Sequence, residues 1–187
     1  MSQPPAVAVL VGSLRKDSLN RKMALALAAL TPSLSLGIVE IGDLPLYNED
    51  LENANPEPPE WLTFRERIRS ANALLFVTPE YNRSVPAALK NALDVGSRPY
   101  GKSVWGGKPA AIVSVSPGPL GAFGANHHLR QSMVFLDVPL MQQPEAYIGN
   151  AGALFDADGR IADDTRRASL EKFMQAFGRW IERFETS

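Results

Sequence analysis

Apolar and polar positions alternate along the chain in blocks of two different periods. Ala6–Gly12 (AVAVLVG) is an unbroken, β-branched apolar run, the pattern of a strand buried on both faces. From Ser18 to Leu30 the apolar residues Leu19, Met23, Leu27 and Leu30 recur at helical spacing. Thr31-Pro32 ends that helix, and Leu34–Ile41 predicts a second, more alternating strand. Gly42–Pro59 reads as a long Pro/Asn-rich loop. Glu60–Ser70 predicts an amphipathic helix with Trp61, Phe64 and Ile68 on its buried side. A third strand is expected at Ala73–Thr78, a helix from Pro86 or Val85 to Val95, and a fourth strand at Ala110–Val115. Gly121–Leu136 predicts a helix and Val138–Met141 a short fifth strand. The closing helix, Asp163–Phe184, carries Leu170, Phe173, Phe177, Trp180, Ile181 and Phe184 on its apolar stripe.

Strands alternating with helices predict βαβ units and a parallel sheet. The expected fold class is α/β: a three-layer sandwich around a five-stranded parallel sheet in the order 2-1-3-4-5. Ligands of such sheets sit beyond the carboxyl ends of the strands, near the topological switch point. The loops after strands 1, 3 and 4 are therefore where chemistry is expected.

Composition narrows the function. The 187 residues suit one domain spanning 1–187. The net charge of −1 offers no basic footprint for nucleic acid. No apolar run approaches the ~20 residues of a membrane span, and no basic region precedes the first apolar stretch as in a signal peptide. A cytoplasmic protein is expected. The chain has no cysteine, which removes thiolate nucleophiles, disulfides and Cys-bound metal centres. Redox chemistry would need a bound organic cofactor.

The first loop reads Gly12-Ser13-Leu14-Arg15-Lys16-Asp17-Ser18-Leu19-Asn20 and runs into a helix. A helix N-terminus presents free N–H groups and a partial positive charge, a ready phosphate site. Ser13 and Ser18 add hydroxyls, Asn20 an amide and Arg15 a charged fork. It matches neither dinucleotide nor P-loop fingerprints and suits a terminal phosphate monoester. An ordinary strand–helix turn with Asp17 or Ser18 as N-cap is the alternative. The loop after strand 3, Thr78-Pro79-Glu80-Tyr81-Asn82-Arg83-Ser84-Val85-Pro86, is polar, held by prolines and carries one aromatic. It suits the edge of a planar heterocycle, or it is a Pro-punctuated turn. The loop after strand 4 holds Ser116 and three glycines at 118, 121 and 124, which let backbone approach a ligand closely or simply make a flexible turn.

The segment T-P-E-Y-N-R-S-V-P-A-A-L-K-N-A-L-D resembles the signature of the NADPH-dependent FMN reductase family, flavodoxin-like quinone, chromate and azo reductases. G-S-L-R-K-D-S-L-N-R is similar to that family's phosphate loop, and the likeness extends to Gly107-Lys108-Pro109 and His128-Leu129-Arg130-Gln131. The resemblance implies non-covalent FMN, with Ser13, Arg15, Ser18, Leu19 and Asn20 at its phosphate. It implies Pro79, Glu80, Tyr81 and Asn82 along the isoalloxazine ring, and Ser116 and Gly118 beside it. It further implies NADPH or NADH as co-substrate, small-molecule electron acceptors, no catalytic side chain, and a homodimer or tetramer. Where the family commonly has Trp after N-A-[LI]-D, this chain has Val95, so an altered subunit contact or ring edge is expected. A flavodoxin-like FMN electron carrier without NAD(P)H turnover is the alternative. A receiver-type module would need an acidic cluster where Gly12-Ser13 stands. His127 and His128 are expected at a surface or interface, Asp156–Gly159 in a turn, and Met133, Phe135 and Met141 in the core or an interface.

Overall fold

The computed structural model describes residues 3–185. It contains one five-stranded sheet, β1 (Ala6–Val11), β2 (Ser35–Ile38), β3 (Ala73–Thr78), β4 (Ala110–Val115) and β5 (Ala146–Ile148), in the order β2-β1-β3-β4-β5. Every ladder is parallel. Because strand side chains alternate between faces, the apolar runs feed two cores. Val7, Val9, Val11, Leu75, Val77 and Val113 pack under α1 (Leu19–Leu30) and α6 (Asp164–Glu185), against Met23, Leu27, Phe173 and Phe177. Leu10, Leu74, Phe76 and Ile112 face the other way. They meet Trp61, Phe64 and Ile68 of α3 (Pro59–Arg69), Leu89 and Leu93 of α4 (Ala87–Gly96), and Leu129 and Met133 of α5 (Phe123–Phe135). Helices cover both faces, the arrangement that parallel sheets require and the flavodoxin-like three-layer sandwich the sequence predicts.

β3 and β4 coincide with their sequence-predicted spans. Three elements differ. β2 is shorter than expected: Val39 still donates to the Val9 carbonyl (2.9 Å), but Glu40 leaves the sheet to pair with Arg21. The long loop contains a one-turn helix, α2 (Glu49–Glu52), whose Asn48 cap accepts from the Asp50 amide. The fifth strand is not Val138–Met141. Leu140 makes only a single bridge to Ala110, and the ladder resumes at Ala146, opposite Val113. Pro139 and Pro144 have no N–H to give a ladder, so Val138 and Met141 are core residues without belonging to a strand.

Val95 is fully buried in the second core cluster. Its side chain is therefore core packing and offers no surface of its own. The end of α4 is filled instead by Trp105, whose indole N–H donates to the Leu93 carbonyl (3.0 Å). A Cβ at Gly96 would sit 2.5 Å from that indole, so this end of the helix tolerates no side chain there. Met133 and Met141 are core residues, whereas Phe135 is exposed at the end of α5.

Candidate functional site

The sheet order places the carboxyl ends of β1, β3 and β4 side by side. Gly12, the first residue past β1, donates to the Val77 carbonyl of β3 (2.9 Å), and its missing Cβ would meet Pro79 at 3.1 Å. The first and third loops are thus pressed together at one edge, and the fourth lies beyond the third.

In the first loop, Ser18 is extended and caps α1, its hydroxyl accepting from the Arg21 amide (3.1 Å) and its carbonyl from Lys22 (3.0 Å). The N–H groups of Leu19 and Asn20 precede the first intrahelical acceptor and stay at the loop as donors. Ser13 is half-buried, and Arg15 is exposed with no ion-pair partner among the described residues. Asn20 does more than the sequence suggests. It is buried, its amide points at the Val115 carbonyl of β4 (3.5 Å), and its Oδ1 has no partner among the described residues. Its donor thus serves the β4 loop, leaving a buried acceptor at the junction of two loops. A polyol hydroxyl can satisfy an acceptor; a phosphate oxygen cannot.

The third loop is a hairpin. Tyr81 and Ser84 exchange backbone hydrogen bonds of 3.1 and 3.0 Å around Asn82 and Arg83, both at positive φ (51° and 64°). Two consecutive left-handed residues make a type I′ turn, so the prolines frame a rigid hairpin with Tyr81 half exposed on it. Glu80 is held by the chain itself. Its side chain is mostly buried. Oε2 accepts from the Ala125 amide at the start of α5 (3.1 Å), and Oε1 accepts from Arg83 (3.3 Å). α5 has no side-chain cap of its own, so Glu80 caps it from across the site. Both carboxylate oxygens are thus engaged within the chain, while the Glu80 backbone lies on the hairpin. A Cβ at Gly124 would lie 2.9 Å from that carboxylate, which explains the glycine.

In the fourth loop, the Ser116 hydroxyl donates to the Gly118 carbonyl (2.9 Å), and Asn150 donates to the same oxygen (3.0 Å). Gly121, at φ +60°, would place a Cβ 2.6 Å from the Tyr147 backbone. Gly118 is different: a Cβ there would meet nothing within 4 Å. The chain's own packing does not demand glycine at 118, whereas a ligand lying on the backbone would. Behind this loop lies a polar relay that no motif in the sequence signals. Ser114 donates to the Gly121 carbonyl (2.6 Å), Asn126 to Ser114 (3.2 Å), and Arg130 to Asn126 (3.0 Å). Ser114 and Asn126 lie at buried strand and helix positions and Arg130 at a half-buried one, the one signal by which they could have been found.

Beside the loop stand Phe123, His127 and Tyr147, with ring centroids 4.2 and 5.2 Å from Phe123. Burial, reinforced by the hydrogen bond it donates to Glu145 (2.7 Å), pushes the Tyr147 phenol up to about 12. Both histidines are exposed. His127 meets the Tyr147 hydroxyl (3.1 Å) and His128 the Ser84 hydroxyl (3.0 Å). Asp156–Gly159 is a turn, with the Asp156 carboxylate accepting from the Asp158 and Arg160 amides.

The residues present fit a flavin mononucleotide. Arg15 and the free α1 amides could hold a phosphate, the unpartnered Asn20 oxygen would suit a ribityl hydroxyl, and Gly118 with the rigid hairpin would offer backbone to a flat ring. Comparison with known proteins agrees. Residues 5–153 match the model of a family described as NADPH-dependent FMN reductase. A quinone reductase of Pseudomonas putida is 63% identical over 183 residues, 97% of each chain. A 2-hydroxy-1,4-benzoquinone reductase of a Burkholderia species is 49% identical over 176 residues, covering 94% of this chain and 95% of that one. Among solved structures, the flavoenzyme NAD(P)H:(acceptor) oxidoreductase FerB of Paracoccus denitrificans superposes with a TM-score of 0.91 at 43% identity, covering 96% and 98% of the two chains. With the loops so arranged and these relatives spanning nearly its whole length, the chain belongs to the NADPH-dependent FMN reductase family.

Proposed function

We propose that the chain is an NAD(P)H-dependent, FMN-containing reductase of quinones, with FMN held across the first, third and fourth loops. The observation that carries the reading is the meeting of three features at one sheet edge: the open N-terminus of α1 with unpaired Arg15, the rigid Tyr81 hairpin, and Gly118 facing open space. When bound, the flavin supplies the redox chemistry, taking a hydride from nicotinamide and passing electrons to an acceptor.

The protein's own part is placement. Arg15, Ser13 and the amides of Leu19 and Asn20 neutralise and orient the phosphate, which fixes the far end of the cofactor. Ser18 keeps those amides aimed by capping the helix they begin. Pro79 through Asn82 offer backbone donors and acceptors whose positions the type I′ turn sets in advance, lowering the ordering cost of binding. Glu80 holds that hairpin against α5, and Ser116 holds the Gly118 backbone in place. No general acid or base is assigned: reduction of a quinone to its hydroquinone takes one hydride and one proton, and solvent at an open site can supply that proton.

An electron carrier on the same fold would dock protein partners through strongly charged faces, and the net charge of −1 with exposed Arg15, Lys16 and Arg83 disfavours it. Action in the cytoplasm on diffusible quinones, as a homodimer or tetramer, belongs to the same proposal. The exposed Tyr100, Val134 and Phe135 supply apolar surface for subunit contact. Anaerobic mixing of the holoprotein with NADPH, then with a quinone, tests the activity. Bleaching of the flavin followed by its recovery is expected, and no bleaching would assign the chain to the carriers.

A further inference from the structure

The strap between β2 and α3 is held more firmly than a connection between two elements requires. Asn91, one turn into α4, accepts from the Tyr47 amide (2.8 Å) and donates to the carbonyls of Leu44 and Pro45 (3.2 and 3.1 Å). The Trp61 indole donates to the Pro45 carbonyl (2.9 Å) and lies 5.8 Å, ring to ring, from Tyr47. The Tyr47 hydroxyl donates to Glu52 (2.9 Å), whose buried carboxylate is gripped by Arg98 at 2.9 and 3.1 Å. Residues 44 to 47 are therefore fixed by hydrogen bonds on both sides of Leu46.

Leu46 itself touches solvent over 75% of its surface. A lone exposed leucine is ordinary; one mounted on a rigid support at a ligand-binding edge is not. The strap follows the carboxyl end of β2, the same end of the sheet as the three loops. Its anchor Asn91 lies four residues from the start of α4, about 6 Å along a helix, and α4 itself starts just past the Tyr81 hairpin. Gly42, at the strap's start, leaves 3.4 Å between its absent Cβ and Leu14 of the phosphate loop, and Leu14 is itself exposed.

We propose that Leu46 is a specificity-determining residue, an apolar rim at the acceptor slot that favours carbocyclic quinones over small hydrophilic oxidants. The inference rests on the reading of an FMN reductase given above. Asn91 and Glu52 are its positioning residues, and no chemistry passes through them. An apolar side chain in contact with a ring contributes to ground state and transition state alike, so its loss appears in KM with kcat little changed.

The test uses the FMN-loaded full chain carrying Leu46→Ser. The expected result is a KM for 2-methyl-1,4-naphthoquinone raised about tenfold, the scale of a lost apolar contact, with kcat and the KM for ferricyanide unchanged. The equilibrium dissociation constant of the same naphthoquinone, measured by tryptophan fluorescence without nicotinamide, rises by the same factor. FMN affinity and the subunit mass by light scattering stay as in the unsubstituted protein. Unchanged quinone affinity overturns the proposal, as does an equal loss toward both acceptors or an effect seen only with subunit dissociation. If the unsubstituted protein fails to retain FMN, the reading beneath the proposal falls with it, an outcome distinguishable from all of these.

Discussion

Arg15 and Glu80 illustrate how differently two charged residues in neighbouring loops are employed. Arg15 is exposed and without an ionic partner among the described residues, so no described carboxylate competes for its guanidinium. Arg15→Ala is expected to weaken FMN binding by about 1.5–3 kcal/mol, as for a lost charged hydrogen bond, read by flavin fluorescence quenching. An unchanged dissociation constant removes Arg15 from the phosphate site. Glu80 is already engaged, capping α5 through the Ala125 amide. Glu80→Ala is expected to lower stability by about 1–2 kcal/mol, the effect of a lost cap, in urea unfolding of the flavin-free protein. A variant as stable as the parent would show that the carboxylate is free for a ligand.

At the scale of elements, two glycines with opposite surroundings test the packing of the fourth loop and of α6. Gly121 adopts positive φ, with the Tyr147 backbone where a Cβ would go. Gly121→Ala should destabilise by about 1–3 kcal/mol, the range for a strained backbone position. Gly178 lies inside α6 with nothing within 4 Å of an added Cβ, so Gly178→Ala should stabilise by about 1 kcal/mol. Thermal unfolding of the two variants reads both signs, and equal shifts would contradict the geometry. The elements themselves were legible where one pattern dominated: β3 and β4 are fully buried runs, and α3 shows its stripe of Trp61, Phe64 and Ile68. β5 was not, because the apolar segment Val138–Met141 competes with Ala146–Ile148, and only Pro139 within the first tells against it as a strand. The loops that bear the site were legible from sheet topology, but side-chain direction was not. Nothing in the one-dimensional pattern turns Glu80 toward α5 or Asn20 toward Val115, since both bonds close only when distant loops meet. The strap's lock was equally hidden, its partners Asn91, Glu52 and Arg98 being far apart in sequence.

For the molecule as a whole, acid stability follows from the strap. The hydrogen bond from Arg98 holds the Glu52 carboxyl below its ordinary value of 4.5, and Tyr47 adds to the effect. A carboxylate whose pKa is depressed by folding binds its proton more readily when unfolded. Its stabilisation is complete above the unfolded value and fades as pH falls through the folded one. Glu52→Gln is therefore expected to lose about 1–3 kcal/mol at neutral pH, as for a buried charged hydrogen bond. In urea unfolding across the acid range, the two proteins should converge as pH falls below the folded Glu52 value. A gap that stays constant with pH would mean that the loss is one of packing alone.

The layered fold, the paired loops and the family membership meet in one geometric claim: the edge formed by β1, β3 and β4 holds FMN with its phosphate at α1. A crystal structure of the protein with FMN tests it directly. The account predicts the phosphate within hydrogen-bond reach of Ser13, Arg15 and the Leu19 and Asn20 amides, the ribityl chain beside Asn20, and the ring along Pro79–Asn82 and Gly118. A flavin bound elsewhere, or a phosphate held away from the start of α1, would contradict it.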